Sequence, residues 1–155
     1  MRNVQSWLDE YSLSHRHPVN KRIHWVCVPL IMLSALGMLW SLPRPTVFAE
    51  LSPYLNWATL LVAAALVYYL VLSPRLGAGM LAVSVAMCLL LHAMTLLPWP
   101  VWITSAVIFT GAWIGQFIGH RIEGRKPSFF KDLQFLLIGP LWLLADAYTR
   151  LGFAY

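Results

Sequence analysis

The stretch WVCVPLIMLSALGMLWSL, residues 25–42, decides the fold of this chain. It carries no charged side chain, and an apolar helix of about this length crosses the roughly 30 Å hydrocarbon core of a bilayer. Hydrophobic residues make up 59% of the 155 residues and charged residues only 11%, whereas soluble domains are about one quarter charged. The sequence therefore predicts an all-α integral membrane protein, with one membrane-embedded domain over residues 1–155.

Further apolar stretches follow on the C-terminal side. Four transmembrane helices are predicted: Trp25–Leu42, Leu55–Leu72, Gly77–Leu97 and Pro100–Gly119. A fifth stretch, Leu133–Ala147, is shorter and contains Gly139, Pro140 and Asp146, so a re-entrant and an interfacial helix both stay open. The charged segment before Trp25 predicts an interfacial N-terminal helix, and the first span is expected to remain as an anchor because no cleavable signal precedes it.

The basic residues indicate the orientation in the membrane. Nine of the eleven Lys and Arg residues fall in three segments on one side of the predicted bundle: Arg2, Arg16, Lys21, Arg22, Arg75, Arg121, Arg125, Lys126 and Lys131. The positive-inside rule places this side in the cytoplasm, in a bacterial inner membrane or, in a eukaryote, in the endoplasmic reticulum. Attraction to anionic membrane lipid explains the net charge of +5, and nothing resembles a nucleic-acid-binding face.

A histidine and a glutamate lie at the end of the fourth span, in the segment GQFIGHRIEGRKP, residues 115–127. If the helix continues through this segment, Gln116, His120 and Glu123 share one face. Helical bundles present carboxylate and histidine ligands to iron or manganese at such a spacing. The alternative is that His120 lies at the membrane interface and Glu123 pairs with the cations that follow it.

A second histidine-rich segment, YSLSHRHPVNKRIH, spans residues 11–24 on the same side of the membrane. Pro18 is expected to break the N-terminal helix, and Asn20 to cap the helix that follows. His24 lies one helical turn after Asn20, on the same face. His15, at the end of the preceding helix, can then converge with His24 and His120 on one metal ion. Imidazole ligands suit iron, zinc, copper or nickel, so these residues do not choose the metal.

Taken together, the two segments resemble the 2-hydroxy fatty acid dioxygenases of the yeast endoplasmic reticulum and their bacterial relatives. The first motif is matched by Tyr11, His15, Pro18, Asn20, Ile23, His24 and Pro29. The second is matched by Gln116, Phe117, Gly119, His120, Glu123, Arg125 and Pro127. A leucine-rich segment around Pro140 completes the resemblance. Its late acidic residue is Asp146 where the family has glutamate, so Asp146 is kept out of the ligand set.

This resemblance implies a reaction and a site. A long-chain 2-hydroxy fatty acid would be cleaved between its first two carbons by O2 and Fe(II), giving the acid one carbon shorter. The catalytic metal ligands are expected to be His15, His24 and His120, with Glu123 as a fourth ligand or as the acceptor that orients a histidine. The expected substrate-binding residues are Tyr11, Asn20, Gln116, Arg125 and Lys126.

Two alternatives from other functional classes remain at this point. The first is a haem protein with two axial histidines from among His24, His92 and His120. The second is a membrane scaffold or carrier without catalytic activity, in which the histidines anchor helices at the interface. His92 lies inside the third span, where an ionisable residue is a functional candidate, but a neutral histidine hydrogen-bonded between helices is the preferred interpretation. The sequence does not determine the oligomeric state.

Overall fold

The computed structural model describes residues 3–127 and 134–155, and this part of the chain contains helices and no strands. The helices are α1 (Val4–Ser12), α2 (Pro18–Trp40), α3 (Thr46–Leu51), α4 (Trp57–Leu72), α5 (Pro74–Met94), α6 (Val101–Glu123) and α7 (Phe135–Leu151). Arg2, Lys131 and Leu133, which entered the charge and span predictions, lie outside the described residues. The predicted all-α class and the N-terminal helix are confirmed, whereas α3 was not predicted.

Within the described residues, three helices are long and apolar enough to cross a membrane, namely α2, α5 and α6. Helix α4 is also apolar but has only 16 residues, so a total of four spans stays a prediction. Helix α2 begins seven residues before the predicted Trp25, because Pro18 occupies its first turn, where a missing N–H costs nothing. His24 lies inside α2, as the expected helix after Asn20 requires.

Helix α7 runs without interruption through Gly139 and Pro140, the residues that interrupt its apolar sequence. Its two ends contact the same end of the bundle. The Tyr69 hydroxyl, at the end of α4, donates to the Leu137 carbonyl at 2.9 Å, and the Tyr148 hydroxyl donates to the Arg75 carbonyl at the start of α5 at 3.4 Å. A helix attached in this way lies across the bundle end, and the choice between a re-entrant and an interfacial helix stays open.

Helices α2 and α6 pack along each other in antiparallel directions, and glycine makes their contact close. A Cβ on Gly119 would overlap the side-chain oxygen of Asn20 on α2. Gly124 ends α6 in the left-handed region at a φ of 70°, which glycine adopts at little cost. This packing brings the start of α2, with His24, beside the end of α6, with His120.

Aromatic contacts attach α1 to α7 and thereby position the elbow between α1 and α2. The Trp142 indole N–H donates to the Ser12 hydroxyl at 2.8 Å. The Trp7 and Phe135 rings meet edge to face, with centroids 5.4 Å apart. Tyr11, also on α1, is buried in the core that α7 forms with α4 and α5. The elbow, residues 13–17, is therefore held directly above the junction of α2 and α6.

Candidate metal centre

Three buried histidines from three separate parts of the chain converge at this junction. His15 comes from the elbow, His24 from α2 and His120 from α6, and their relative exposures are 1%, 1% and 5%. One ring nitrogen from each lies within 4.8 Å of the others. The ring centroids are 4.3 Å apart for His15 and His24, and 5.0 and 4.9 Å from these two to His120. The predicted convergence of these histidines is confirmed as geometry.

Backbone carbonyls determine the tautomers of two of these rings. The His15 Nδ1 lies 2.6 Å from the Tyr11 carbonyl oxygen, and the His24 Nδ1 lies 2.9 Å from the Asn20 carbonyl oxygen. Since a carbonyl oxygen only accepts, each Nδ1 carries the proton and donates it. Each Nε2 of a neutral ring is then left with a lone pair. These two Nε2 atoms lie only 2.9 Å apart.

Burial keeps His15 neutral at physiological pH. Removal from water lowers the pKa of His15 to about 4, and this outweighs the hydrogen bond to the Tyr11 carbonyl, which acts in the opposite direction. The Tyr11 ring stacks on the His15 ring, with centroids 4.1 Å apart and planes within 9°. Burial also raises the pKa of Tyr11, so its phenol stays protonated. The elbow thus presents an uncharged imidazole backed by an uncharged aromatic ring.

His120 adds a third nitrogen without a protein partner. Its Nδ1 is buried and makes no hydrogen bond in the described structure. Two facing lone pairs and one unpartnered buried nitrogen are costly unless something binds them. A metal cation satisfies all three atoms, since neutral imidazole is a ligand for iron, zinc, copper and nickel. The donor set therefore fits a metal ion.

Glu123 holds the elbow against α6. Its carboxylate accepts hydrogen bonds from the backbone N–H groups of Arg16 (2.9 Å) and His17 (2.8 Å) and from the side-chain amide of Asn20 (3.2 Å). In this arrangement both carboxylate oxygens face the elbow. These partners differ from those of the alternative, in which Glu123 pairs with the cations that follow it. What they support is an orienting role, and Glu123 as a fourth ligand stays an untested prediction.

An apolar cavity of about 490 Å³ opens from the histidine cluster. His24, His120, Gln116 and Tyr11 line its polar end. The remaining lining is almost entirely apolar and comes from four helices: Val28, Ile31, Met32 and Ala35 of α2, Leu61 of α4, Phe109 and Trp113 of α6, and Phe135, Leu136, Leu137, Gly139 and Pro140 of α7, together with Pro127. Such a cavity suits the hydrocarbon chain of a ligand whose polar group lies at the histidines.

Three of the predicted substrate-binding residues lie away from this lining. Asn20 is fully buried and donates to the Ser14 carbonyl and to Glu123. It does not cap α2 as expected, because the His17 side chain caps α2 by accepting from the Val19 N–H at 3.2 Å. Arg125 and Lys126 are exposed, just before cavity-lining Pro127. Substrate contacts by these three residues remain predictions.

Two residues whose roles were open lie apart from the cluster. His92 is exposed near the end of α5 and lines a different cavity, so the expectation of a histidine between packed helices is wrong. The reason is that α5 ends at Met94, which puts His92 near a helix terminus. Asp146 forms an ion pair with Arg150 at 2.9 Å and accepts from the Trp25 indole N–H at 3.2 Å. Neither side chain belongs to the three-histidine group.

The geometry of the cluster differs from what the haem protein and the membrane scaffold or carrier would be expected to show. Axial ligands of a haem lie on opposite faces of a flat macrocycle, whereas His24 and His120 meet edge to face with His15 directly beside them. Interfacial anchors would be expected at the surface, whereas these three rings are buried. Sequence reasoning missed the aromatic support of His15 by Trp142, whose ring centroid lies 5.5 Å away. Nothing in the local pattern of α7 signals that contact.

Comparison with known proteins extends the similarity beyond the two motifs. The chain matches the Mpo1-like family, described as 2-hydroxy-palmitic acid dioxygenase Mpo1-like, over residues 1–151. It is 30% identical over 154 residues to the 2-hydroxy-palmitic acid dioxygenase MPO1 of Saccharomyces cerevisiae. The aligned region covers 97% of this chain and 83% of the yeast protein. No solved structure matches significantly. The similarity therefore includes every element that builds the histidine cluster.

Proposed function

The chain belongs to the Mpo1-like family, and from this premise we propose that it is an iron-dependent dioxygenase of fatty acid α-oxidation. Its substrate would be a long-chain 2-hydroxy fatty acid, cleaved between C1 and C2 to give the acid one carbon shorter. One O2 balances this reaction if the lost carbon leaves as carbon dioxide with one molecule of water. The observation that carries the proposal is the cluster of three buried histidines at the polar end of an apolar cavity.

Ligand type and number are compatible with ferrous iron. Three neutral imidazoles would leave coordination positions open, as non-haem iron oxygenases require. The same nitrogens would also suit zinc, copper or nickel, so the choice of iron rests on the dioxygenase activity for which the yeast relative is named.

The metal and the protein would divide the chemistry between them. When bound, ferrous iron would be chelated by the carboxylate and 2-hydroxyl of the substrate and would activate O2, which the substrate electrons reduce overall. Gln116 lies on the cavity wall one turn before His120, and its buried Oε1 has no hydrogen-bond partner in the described structure. This oxygen is available to accept a hydrogen bond from the substrate hydroxyl and so to hold C2 in place. The apolar walls would keep bulk water away from the reacting carbons.

Entry of the substrate from the membrane is part of the proposal. Leu61 and Leu136 line the cavity, and each is 45% exposed. An acyl chain dissolved in the bilayer would therefore meet an apolar opening at the side of the bundle. We also place the cluster at the cytoplasmic face, because most Lys and Arg residues lie at that end. A cysteine introduced at exposed Leu13 would then resist impermeant reagents added outside intact cells.

Turnover of the iron-loaded protein tests the proposed function. In air, 2-hydroxypalmitic acid should give pentadecanoic acid, whereas nitrogen should prevent the reaction. Palmitic acid, which lacks the 2-hydroxyl, should not react because it cannot form the chelate. His120→Ala should abolish turnover, and His92→Ala, at an exposed histidine outside the cluster, should not. An iron-loaded protein that consumes no oxygen with any 2-hydroxy acid would refute the proposal.

A further inference from the structure

The cavity has a far end that three helices place at a similar depth. Ala35 lies eleven residues after His24 on α2, and Phe109 lies eleven residues before His120 on α6. Because the two helices are antiparallel, both residues lie at the same distance from the histidine cluster. Leu61, in the second turn of α4, lines the cavity at a similar depth and is 45% exposed, so it belongs to the lateral opening. Ala35 and Phe109 are the lining residues of α2 and α6 that lie farthest from the histidines, and they form the floor of the cavity.

The depth of this floor corresponds to the length of one acyl chain. Eleven residues of α-helix rise about 16 Å. The hydrocarbon core of a bilayer is about 30 Å thick, so one leaflet is about 15 Å thick. An extended chain of the length found in membrane lipids would therefore reach from His24 and His120 to Ala35 and Phe109. A shorter chain would leave apolar wall without contacts, and a longer one would meet the floor.

We propose that Ala35 and Phe109 measure the acyl chain and thereby determine which 2-hydroxy acids the protein accepts. The inference rests on the proposed function, since it concerns the chain attached to the reacting carbons. Ala35 is the small member of the pair, and enlarging it raises the floor. Phe109 is the large member, and truncating it lowers the floor. The two changes must shift chain-length preference in opposite directions, which no general loss of stability would produce.

The test compares kcat/KM over 2-hydroxylauric, 2-hydroxymyristic, 2-hydroxypalmitic, 2-hydroxystearic and 2-hydroxylignoceric acids. Ala35→Phe should lower kcat/KM for 2-hydroxypalmitic acid relative to 2-hydroxylauric acid by roughly tenfold or more, because the last methylene groups of the longer chain no longer fit. Phe109→Ala should raise kcat/KM for 2-hydroxystearic or 2-hydroxylignoceric acid relative to 2-hydroxypalmitic acid. Val107→Phe is the matched control, because Val107 lies on α6 like Phe109, is 69% exposed and does not line the cavity.

Each outcome has one meaning. Wild-type protein that turns over none of the acids refutes the proposed function itself. Wild-type protein that is active, together with variants that keep its chain-length profile, refutes the floor and leaves the proposed function standing. Metal content and melting temperature, measured on every variant, identify one that fails to fold. If Ala35→Phe fails in this way, Phe109→Ala decides the question, since an unchanged profile for that variant contradicts the floor.

Discussion

The Nε2 atoms of His15 and His24 lie 2.9 Å apart, and the Nδ1 of each ring donates to a backbone carbonyl. In the neutral state, two lone pairs therefore face each other inside the protein. A proton between them would create a buried charge, which is unfavourable. A bound cation resolves the conflict, because the same lone pairs become its ligands. The arrangement is therefore more consistent with a metal site than with packing of neutral histidines in the core.

Metal binding should accordingly stabilise the folded protein. At a free Fe(II) or Zn(II) concentration of about 100 times Kd, the stabilisation is about 2.7 kcal/mol. Thermal unfolding in detergent should therefore show a higher melting temperature with metal than with chelator. The exposed-histidine variant His92→Ala should show the same increase. An unchanged melting temperature at saturating metal would contradict a site built into the native structure.

The metal-free protein should lose stability in mild acid. The pKa of His15 is about 4 in the folded protein, below the unfolded value of about 6.5. Between these values the unfolded chain binds more protons, so folding stability is greatest above pH 6.5 and falls as the pH drops towards 4. The loss is on the order of 3 kcal/mol for this group. His15→Asn should reduce the loss, measured as melting temperature against pH, and identical profiles would contradict a buried neutral His15.

Glu123 should support metal binding indirectly, by holding the elbow that carries His15. Glu123→Gln replaces one acceptor oxygen by a donor, which then faces the N–H of Arg16 or His17. Metal affinity should fall by about 10-fold to 100-fold, the usual cost of losing an orienting partner. Calorimetric titration measures this fall, with Glu50→Gln on exposed α3 as the control. Unchanged affinity would contradict the orienting role. Complete loss of binding would instead indicate that Glu123 is a ligand.

The close approach of α2 and α6 should tolerate no methyl group at Gly119. In Gly119→Ala the new Cβ would overlap the Asn20 side chain, and relieving this overlap moves His24 away from His120. A destabilisation of about 1–3 kcal/mol is expected, together with weaker metal binding. Gly111→Ala, on the same helix with no heavy atom within 4 Å of its Cβ position, should be neutral or slightly stabilising. Equal melting temperatures for the two variants would contradict this packing.

Local spacing was enough to predict the long apolar helices and the possible convergence of His15, His24 and His120, but not the short helix α3. His24 and Asn20 share a face of α2, and Gln116 and His120 share a face of α6, because a helix repeats every 3.6 residues. The charge pattern then placed both segments at one end of the bundle. Each of these inferences needs only residues close together in sequence, or a rule about the membrane.

The contacts that fix the site in place join distant residues, and the sequence pattern did not reveal them. Asn20 looked like a helix cap, but its amide reaches Glu123, 103 residues later. Asp146 was kept out of the ligand set with its role open, and the structure pairs it with Arg150 and with Trp25, 121 residues earlier. Pro140 looked like a helix break, yet α7 continues through it because packing on all sides outweighs local propensity.

The iron content of purified protein and its variants tests the central claim most directly. After loading with Fe(II) without oxygen and removal of excess metal, wild-type protein should retain one iron per chain. His24→Ala and His120→Ala should lose most of it while remaining folded, whereas Asp146→Asn should keep it, because Asp146 contacts Trp25 and Arg150 and not the cluster. If both histidine variants retain one iron per chain, the metal is bound elsewhere and the three-histidine account is wrong.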